Sequence, residues 1–294
     1  GDSTQILFVT PEQLDSKSKW GPQIIEALKG KIDLLVFDEA HHSRLDGGSF
    51  RPKYKDETLN DVWKKLDEPQ CLFLSASLSR AAKRSLKRIA PDRTQHLVKG
   101  PLTRANVTLE VRRFEGKKAQ EEKMASICLL IQFMKQQLGI QKIIVYVNRP
   151  ARVVQMVNEL KATGLRKIYG VHGEQEKGKF LSKQEIEANQ KAFEEGSSGV
   201  MVCTSAYAEG IDVDAAGVIV ADLPVNLETL YQMVLRAGHQ GQPALSVICD
   251  DQKSRDFVRY ALLKDEKKCK TFEQDFKFLL KGRDLWGGLT KKFL

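Results

Sequence analysis

The chain has 294 residues, of which 41% are hydrophobic and 29% are charged, and its formal net charge is +9. This length is enough for about two domains of ~150 residues, each with an ordinary apolar core. No apolar run approaches the ~18 residues that a membrane-spanning helix needs, so we expect no membrane partner. The basic excess favours a polyanionic partner, although many basic proteins bind none.

The cysteines indicate a reducing environment. The chain has five of them, none in a Cys-x-x-Cys pair, and several lie inside apolar runs. This pattern predicts buried thiols in an intracellular compartment and no zinc site. The N-terminal residues also lack the basic and apolar segments of a secretory signal.

The first hundred residues alternate short apolar runs with segments of helical period. The runs predict strands that are buried on both faces, at residues 6–10, 34–37 and 71–75. Pro22 and Gly30 mark the two ends of an intervening helix, and Ser79 can cap another. Alternation of this kind predicts a parallel sheet between helices, which forms a first lobe over residues 1–105.

A second lobe follows a polar, proline-containing stretch. Beyond it we predict a long amphipathic helix that begins near Met124, and a glycine- and charge-rich loop near 170–180. Strands are predicted at 143–147, 200–203, 218–221 and 245–248, with helices at 151–162 and 184–195. The fold class is therefore α/β, with two parallel-sheet lobes in tandem and the second over residues 106–252.

Residues 253–294 form a basic and aromatic extension of the second lobe. Phe257, Phe272, Phe276 and other aromatic residues are interleaved with Lys and Arg, and Phe272, Phe276 and Leu280 have helical spacing. A short helical segment packed on the second lobe explains this pattern better than a nucleic-acid platform, which stays the alternative.

Two acidic residues end the apolar run at 34–37. In open α/β sheets, ligands bind beyond the carboxyl ends of the strands, where Asp38 and Glu39 are expected. The first acid can hold Mg²⁺ through a water while the second orients a water that attacks a nucleotide γ-phosphate. The same acids could instead favour the dipole of a helix N-terminus. Taken alone, they leave both interpretations open.

Six segments occur in the order and approximate spacing of the motor motifs of superfamily-two helicases. They are FVTPEQL (8–14), FDEAHHS (37–43), FLSAS (73–77), VYVNRP (145–150), VMVCTSAYAEGID (200–212) and YQMVLRAGHQGQPA (231–244). Within that superfamily the chain most resembles the RecQ family of DNA helicases, because HHSRLDGGSFRPKY (41–54) is similar to the aromatic-rich loop of that family. The resemblance covers about residues 4–252 and implies two RecA-like lobes.

The resemblance also implies a role for individual residues. Asp38 and Glu39 would hold Mg²⁺ and position the attacking water. The catalytic set would be Asp38, Glu39, His41, Gln232 and Arg236. Further contacts to ATP would come from Ser75, Ser77, Gly210, Asp212 and His239. The nucleic-acid strand would contact Thr10, Pro11, Phe50, Arg51, Asn148, Arg149 and Thr204.

The function that this resemblance implies is ATP-dependent, 3′-to-5′ translocation along DNA. We expect single-stranded or branched DNA and further proteins as partners, and a role in DNA repair and recombination in a nucleus, or a nucleoid in bacteria. No G-x-x-x-x-G-K-[ST] segment occurs in the chain, so the first lobe is expected to be N-terminally truncated. ATP and Mg²⁺ would then require a phosphate-binding loop upstream of residue 1.

Several positions depart from the RecQ pattern. Leu235 and His239 replace a glycine and an arginine of the sixth motif, and Cys269 is the only cysteine where four zinc ligands would follow. A histidine is a poor substitute for a permanently charged guanidinium. The alternative function is therefore an ATPase-deficient module that binds nucleic acid or a protein as a scaffold. An RNA helicase of the same superfamily is a third reading, which the Phe-Arg-Pro-x-Tyr segment (50–54) disfavours.

Overall fold

The chain folds as two compact units that divide between Leu102 and Thr103. The computed structural model describes residues 5–15, 17–40, 56–75, 80–91, 93–98, 100, 104–173, 181–205 and 213–262, but not the side chains at 56–57, 80–81 and 259–262. The predicted lobe boundary at 105/106 lies three residues from this division. Each unit is described by itself below.

The first unit contains a short parallel sheet and three helices. In chain order, its elements are α1 (Gly21–Leu28), β1 (Leu34–Phe37), α2 (Asp56–Lys65), β2 (Gln70–Phe73) and α3 (Arg80–Ile89). The two strands pair from Leu34 opposite Gln70 to Phe37 opposite Phe73. Helix α1 has a proline in its first turn, and Gly30 beyond its end has a φ of +66°, which glycine adopts without strain. Both ends of this helix were predicted correctly.

Helix α2 was not predicted, although its sequence carries the signal. Leu59, Val62, Trp63 and Leu66 are all buried, and their spacing is that of one helix face. The Trp63 indole N–H donates to the Pro69 carbonyl at 2.9 Å. The helix supplies much of the first unit's core.

Two predictions about the first unit were wrong. Residues 6–10 form no strand, and Ile6, Leu7 and Phe8 are 77%, 61% and 90% exposed. An apolar run becomes a strand only if a neighbouring strand accepts its backbone hydrogen bonds, and no described strand does so. Strands β1 and β2 are only half-buried, and on one face. In each strand exposed side chains alternate with half-buried ones, the exposed apolar ones being Leu34 and Val36 in β1 and Leu72 in β2.

The second unit is built on a six-stranded parallel sheet. Its strands are β3 (Val107–Phe114), β4 (Lys142–Tyr146), β5 (Ile168–Val171), β6 (Gly199–Cys203), β7 (Gly217–Val220) and β8 (Ala244–Asp251). They lie in the order β3-β8-β7-β4-β6-β5. The connecting helices are α4 (Ala119–Gln136), α5 (Pro150–Ala162), α6 (Lys183–Glu195) and α7 (Leu227–Val234), and α8 (Gln252–Leu262) follows β8. The predicted α/β fold class with tandem parallel-sheet lobes is confirmed.

The central strands of this sheet are buried on both faces, as predicted. Every residue of β6, β7 and β8 is buried, as are four of the five residues of β4. Strand β5 overlaps the start of the loop that was predicted near 170–180. Its apolar signal is weak, because only Ile168 and Val171 flank a Tyr-Gly centre. Helix α8 confirms a helical segment after the second lobe. The predicted helix through Phe272 and Phe276 lies outside the described residues.

The order of the strands creates a switch point beside β4. The chain leaves β4 through α5 toward the β5 side, and it leaves β7 through α7 toward β8 on the other side. The carboxyl ends of β4 and β7 are therefore neighbours whose connections diverge. Ligands of open α/β sheets bind at such a position.

A buried lysine of α4 holds this carboxyl edge together. Lys123 is 1% exposed, and its ammonium group donates to three oxygens. These are the Ala221 carbonyl at 2.8 Å, Asp222 Oδ1 at 3.0 Å and Asp251 Oδ2 at 2.6 Å. All three N–H donors of the ammonium are thereby satisfied. One side chain thus connects α4 to the ends of β7 and β8.

The protonation states of this cluster are stabilised by its own charges. Burial lowers the pKa of Lys123, but the nearby Asp222 and Asp251 carboxylates outweigh burial, so the pKa is raised overall. Burial likewise raises the pKa of Asp251, but the bonds from Lys123 and Ser254 lower it overall. Lys123 is therefore charged at neutral pH, and Asp251 is ionised.

We expect Lys123→Met to destabilise the second unit by about 3–5 kcal/mol, because it leaves two buried carboxylates without their cation. The free energy of unfolding by urea measures this change. Lys191→Met is the matched control, since Lys191 and Glu195 form a 3.9 Å ion pair that is 73% and 69% exposed. That control should change stability by less than about 1 kcal/mol. Equal effects of both substitutions would contradict the role of Lys123.

We also expect the stability difference between the native chain and Asp251→Asn to depend on pH. The folded-state pKa of Asp251 is lowered from 3.8, so its ionised form contributes stability that is fully present above that value. This contribution is lost as the pH falls through the lowered pKa. Urea unfolding at several pH values should show a difference that is large at pH 7 and shrinks in acid below pH 3.8. A constant difference would contradict the prediction.

Candidate nucleotide and nucleic-acid sites

Asp38 and Glu39 form a tight turn at the carboxyl end of β1. The Glu39 backbone N–H donates to Asp38 Oδ1 at 2.9 Å, and Glu39 has a φ of +48°, which is uncommon for a residue with a side chain. The N–H of buried Ala40 donates to the Leu74 carbonyl at 2.8 Å. The turn is therefore fastened to the end of β2 just after both acidic residues.

This pair of acids fits a magnesium site in its chemistry. Asp38 is exposed, so a ligand can approach its carboxylate, whereas Glu39 is half-buried and its Oε2 atom is buried. Among the described residues, no group of three or more His, Cys, Asp or Glu side chains could hold a metal ion. Two carboxylates suit Mg²⁺, which completes its shell with waters and substrate phosphates. The expected absence of zinc stays a prediction.

The β1–β2 register brings Ser75 to the same edge. Phe37 is opposite Phe73, and the Leu74 N–H donates to the Phe37 carbonyl at 2.9 Å. Ser75 therefore follows β2 beside the turn that follows β1. His41, Ser77, Phe50 and Arg51 lie outside the described residues.

Thr10 and Pro11 lie in a separate local turn. The Thr10 N–H donates to Gln13 Oε1 at 2.8 Å, and the Gln13 N–H donates to the Thr10 carbonyl at 3.0 Å. Thr10 is exposed, so its hydroxyl is accessible to a ligand. The described hydrogen bonds do not connect this turn to Asp38, and the shared role of the two segments stays a prediction.

In the second unit, three predicted strand-binding residues come together. Asn148 and Arg149 follow β4, and Thr204 follows β6, which is the neighbour of β4 in the sheet. The Val147 N–H donates to the Cys203 carbonyl at 2.9 Å, so both strands end at the same level. Within the second unit, the structure places these residues at one edge, next to the β4–β7 switch point.

Arg149 is positioned as the cap of α5. It has extended backbone angles, Pro150 follows it, and its carbonyl accepts the Arg152 and Val153 N–H groups at 3.0 and 3.2 Å. Its side chain is exposed and forms no hydrogen bond or ion pair with any described residue. A helix N-terminus beside an exposed guanidinium is a favourable environment for a phosphate.

Asp222 joins this edge to the buried lysine cluster. The Asn148 backbone N–H donates to Asp222 Oδ2 at 3.4 Å, while Asp222 Oδ1 accepts from Lys123. The interpretation of the sequence missed Lys123, Asp222 and Asp251 as site-supporting residues. The only available signal was that two buried apolar runs, before 222 and before 250, each end in aspartate.

Gln232, Arg236 and His239 belong to α7 and the turn that follows it. Gln232 and Arg236 are half-buried, and His239 is exposed. The Gly238 N–H donates to the carbonyl of Ala215, which precedes β7, at 3.0 Å. The turn is therefore fastened near the amino end of β7, away from the edge that carries Asn148 and Thr204.

The arginine of this turn nevertheless reaches toward the sheet. Burial raises the pKa of the Cys203 thiol well above its usual value, and the positive charge of Arg236 acts against that rise. Gly210 and Asp212, the other nucleotide residues predicted near this strand, lie outside the described residues.

Asn106 and Arg104, at the start of the second unit, hold the backbone of the same turn. Asn106 Nδ2 donates to the carbonyls of Gly238 and Gln242, both at 2.8 Å. Arg104 Nη1 donates to the Leu235 carbonyl at 3.2 Å. Gly238 has a φ of +65°, and a Cβ there would meet Asn106 Nδ2 at 2.5 Å. A glycine is therefore required in this turn.

Two helicase domain families match the chain. The DEAD/DEAH box helicase family matches residues 1–85, and the helicase conserved C-terminal domain family matches residues 122–241. These matches fall in the first and second units respectively. No described helix is long and apolar enough to cross a membrane.

Curated relatives include both DNA and RNA helicases. The chain is 30% identical over 249 residues to the probable ATP-dependent DNA helicase RecS of Bacillus subtilis, covering 83% of this chain and 45% of RecS. It is 26% identical over 259 residues to the probable eukaryotic initiation factor 4A of Trypanosoma brucei brucei, covering 87% of this chain and 58% of that protein. The chain thus spans about half the length of these relatives.

The same fold occurs in solved structures. Saccharomyces cerevisiae Dbp5 bound to RNA and ADP BeF3 superposes with a TM-score of 0.59 at 21% identity, covering 83% of this chain and 61% of that chain. This likeness confirms tandem RecA-like lobes. The RecQ assignment is finer than the comparisons allow, because RecS and initiation factor 4A are comparably similar. From the two domain matches and the fold, the chain belongs to the superfamily-two helicases.

Proposed function

We propose that this chain is the core of a RecQ-like DNA helicase that holds a single strand at the carboxyl edge of its second lobe. The observation that carries the proposal is the convergence of Asn148, Arg149 and Thr204 beyond the adjacent strands β4 and β6. Their amide, guanidinium and hydroxyl groups suit phosphate and sugar oxygens. Contacts of this kind position a strand without reading its sequence, so we expect little sequence preference.

The nucleotide chemistry is assigned to the predicted catalytic residues, which are distinct from the strand-binding residues. In the longer protein, Asp38 and Glu39 would hold Mg²⁺ and orient the attacking water, and bound Mg²⁺–ATP would supply the hydrolysable phosphoanhydride. Arg236, with Gln232 beside it on α7, would add positive charge at the transferred phosphoryl group. An arginine in that role can contribute ~10³–10⁵ in rate. Hydrolysis in the longer protein would then be coupled to movement along the strand.

DNA rather than RNA is the substrate that we propose. Support comes from the similarity to RecS and from the Phe-Arg-Pro-x-Tyr segment at 50–54. The proposed direction is 3′ to 5′, with a role in DNA repair or recombination in a nucleus or nucleoid. The similarity to initiation factor 4A makes RNA the competing substrate, so binding should be compared on matched DNA and RNA strands.

An ATPase-deficient scaffold is the second candidate function. Its support is Leu235 and His239, which replace a glycine and an arginine of the sixth motif. His239 is exposed and shorter than arginine, and at neutral pH it lacks a permanent fork of charged donors. This candidate shares the strand-binding edge with the first and differs in nucleotide turnover.

We expect the chain to bind single-stranded DNA with an affinity that falls steeply between low and physiological salt. Arg149→Gln should weaken binding and reduce the slope of log K against log salt by about 0.7, because one phosphate contact is lost. Fluorescence anisotropy of a labelled oligothymidylate measures both quantities. A labelled oligouridylate of equal length should bind less tightly if DNA is the substrate.

Arg166→Gln is the matched control for this measurement. Arg166 is equally exposed but precedes β5, so it lies on the amino-terminal side of the sheet. Its loss removes the same charge without touching the proposed edge. Binding that is insensitive to salt, or equal losses from both substitutions, would contradict a strand path over Asn148 and Arg149.

We expect the 294-residue chain to show no DNA-stimulated ATP hydrolysis above background, because its sequence has no G-x-x-x-x-G-K-[ST] loop to hold the phosphates. Phosphate release with and without single-stranded DNA measures the activity. Asp38→Ala is the control and should match the unsubstituted chain. Robust turnover that disappears in Asp38→Ala would overturn this prediction.

A further inference from the structure

The helix that follows the second lobe contacts the proposed strand-binding edge. Helix α8 begins at Gln252, beyond residue 241 where the helicase C-terminal domain match ends. The guanidinium carbon of Arg149 lies over the Phe257 ring, 5.6 Å from its centroid. This distance is within the ~6 Å range of a cation–π interaction. A helix outside the matched domains therefore reaches a predicted strand-binding residue.

Helix α8 is held firmly enough to position that ring. The Ser254 N–H and hydroxyl donate to the two carboxylate oxygens of Asp251, both at 2.9 Å. Arg255 Nε donates to Asp250 Oδ1 at 2.7 Å, and Val258 is fully buried. Asp251 is in turn bound by Lys123. The same buried cluster that fixes the Asn148 loop through Asp222 therefore also fixes the helix that carries Phe257.

The Phe257 ring can orient Arg149 without occupying its donors. A guanidinium is planar, and contact with a ring face leaves the N–H groups at its edge available for a phosphate oxygen. Arg149 forms no other side-chain hydrogen bond or ion pair with any described residue. A free arginine loses much rotamer freedom when it binds, and a guanidinium already held over a ring loses less.

We propose that Phe257 is a positioning residue that holds the Arg149 guanidinium ready for a backbone phosphate of the bound single strand. This inference rests on the proposed function, because it deepens the role of the same edge. Phe257 itself does not contact the strand. The strand-binding surface of the second lobe thus depends on α8, which lies outside both matched domains.

The test is a double-substitution cycle in the full 294-residue chain, with a labelled oligothymidylate at low salt. Phe257→Leu and Phe257→Met should each weaken binding about two- to fivefold, the range of an exposed cation–π contact. Phe257→Trp keeps a ring and should bind within about twofold of the native chain. Arg149→Gln should weaken binding more, and adding Phe257→Leu to it should cause no further loss, because the two residues act through one contact.

Several controls separate the outcomes. Phe133→Leu is the matched substitution, because Phe133 on α4 is 47% exposed and lies away from Arg149, so binding should be unchanged. Thermal unfolding shows whether Phe257→Leu keeps the fold, and Phe257→Met, whose unbranched and flexible side chain adapts more easily to the space of the ring, serves if it does not. If Phe257 positions Arg149, Phe257→Leu should also reduce the slope of log K against log salt, because a phosphate contact is weakened. A purely structural defect would not change this slope selectively.

The two proposals fail in different ways. If Arg149→Gln leaves binding unchanged, the proposed strand path is wrong. If Arg149→Gln weakens binding but Phe257→Leu and Phe257→Met do not, only the positioning role is wrong. If the losses of Arg149→Gln and Phe257→Leu multiply in the double variant, Phe257 acts independently, for instance as a stacking surface for a base, and the positioning role is overturned.

Discussion

The buried ammonium group of Lys123 is the interaction on which the second unit depends. A lysine in an apolar sheet–helix interface is unfavourable unless all its donors and its charge are satisfied. Here Asp222, Asp251 and the Ala221 carbonyl satisfy them, and in doing so they fix the ends of β7 and β8 relative to α4. Removing the lysine leaves two buried carboxylates without their cation, so the cluster favours one arrangement of this edge.

That arrangement sets the geometry of the proposed strand-binding edge. Asp222 orients the loop after β4 through the Asn148 N–H, and Asp251 anchors α8 through Ser254. The loop that carries Arg149 and the helix that contacts its side chain are therefore both connected to the same buried cation, Lys123. Binding orders a flexible single strand, and the contacts must offset the conformational entropy that the strand loses. An edge that binds a strand therefore benefits from being rigid before binding, because its own ordering then costs little. The apolar core beneath contributes to stability, and the charged cluster also determines where the residues of this edge lie.

The first unit uses a different device at its own site. Its two acids sit in a turn with a left-handed Glu39, fastened by Ala40 to the end of β2. Backbone strain of this kind persists only where surrounding contacts enforce it, and it often marks functional sites. The choice between DNA and RNA depends on finer chemistry, because phosphate contacts position a strand of either kind without reading its sequence.

The sequence alone determined the α/β class, the central strands and the edge where the site lies, because buried parallel strands leave continuous apolar runs and polar residues follow their ends. It also placed Asp38, Glu39, Asn148, Arg149 and Thr204 beyond those strands. Tertiary structure decided what local pattern cannot encode. Residues 6–9 are apolar yet form no strand, since a strand needs a neighbouring strand and no described strand pairs with them. The bonds of Lys123 and the contact of Arg149 with Phe257 join residues about 100 positions apart, and only the folded chain brings them together.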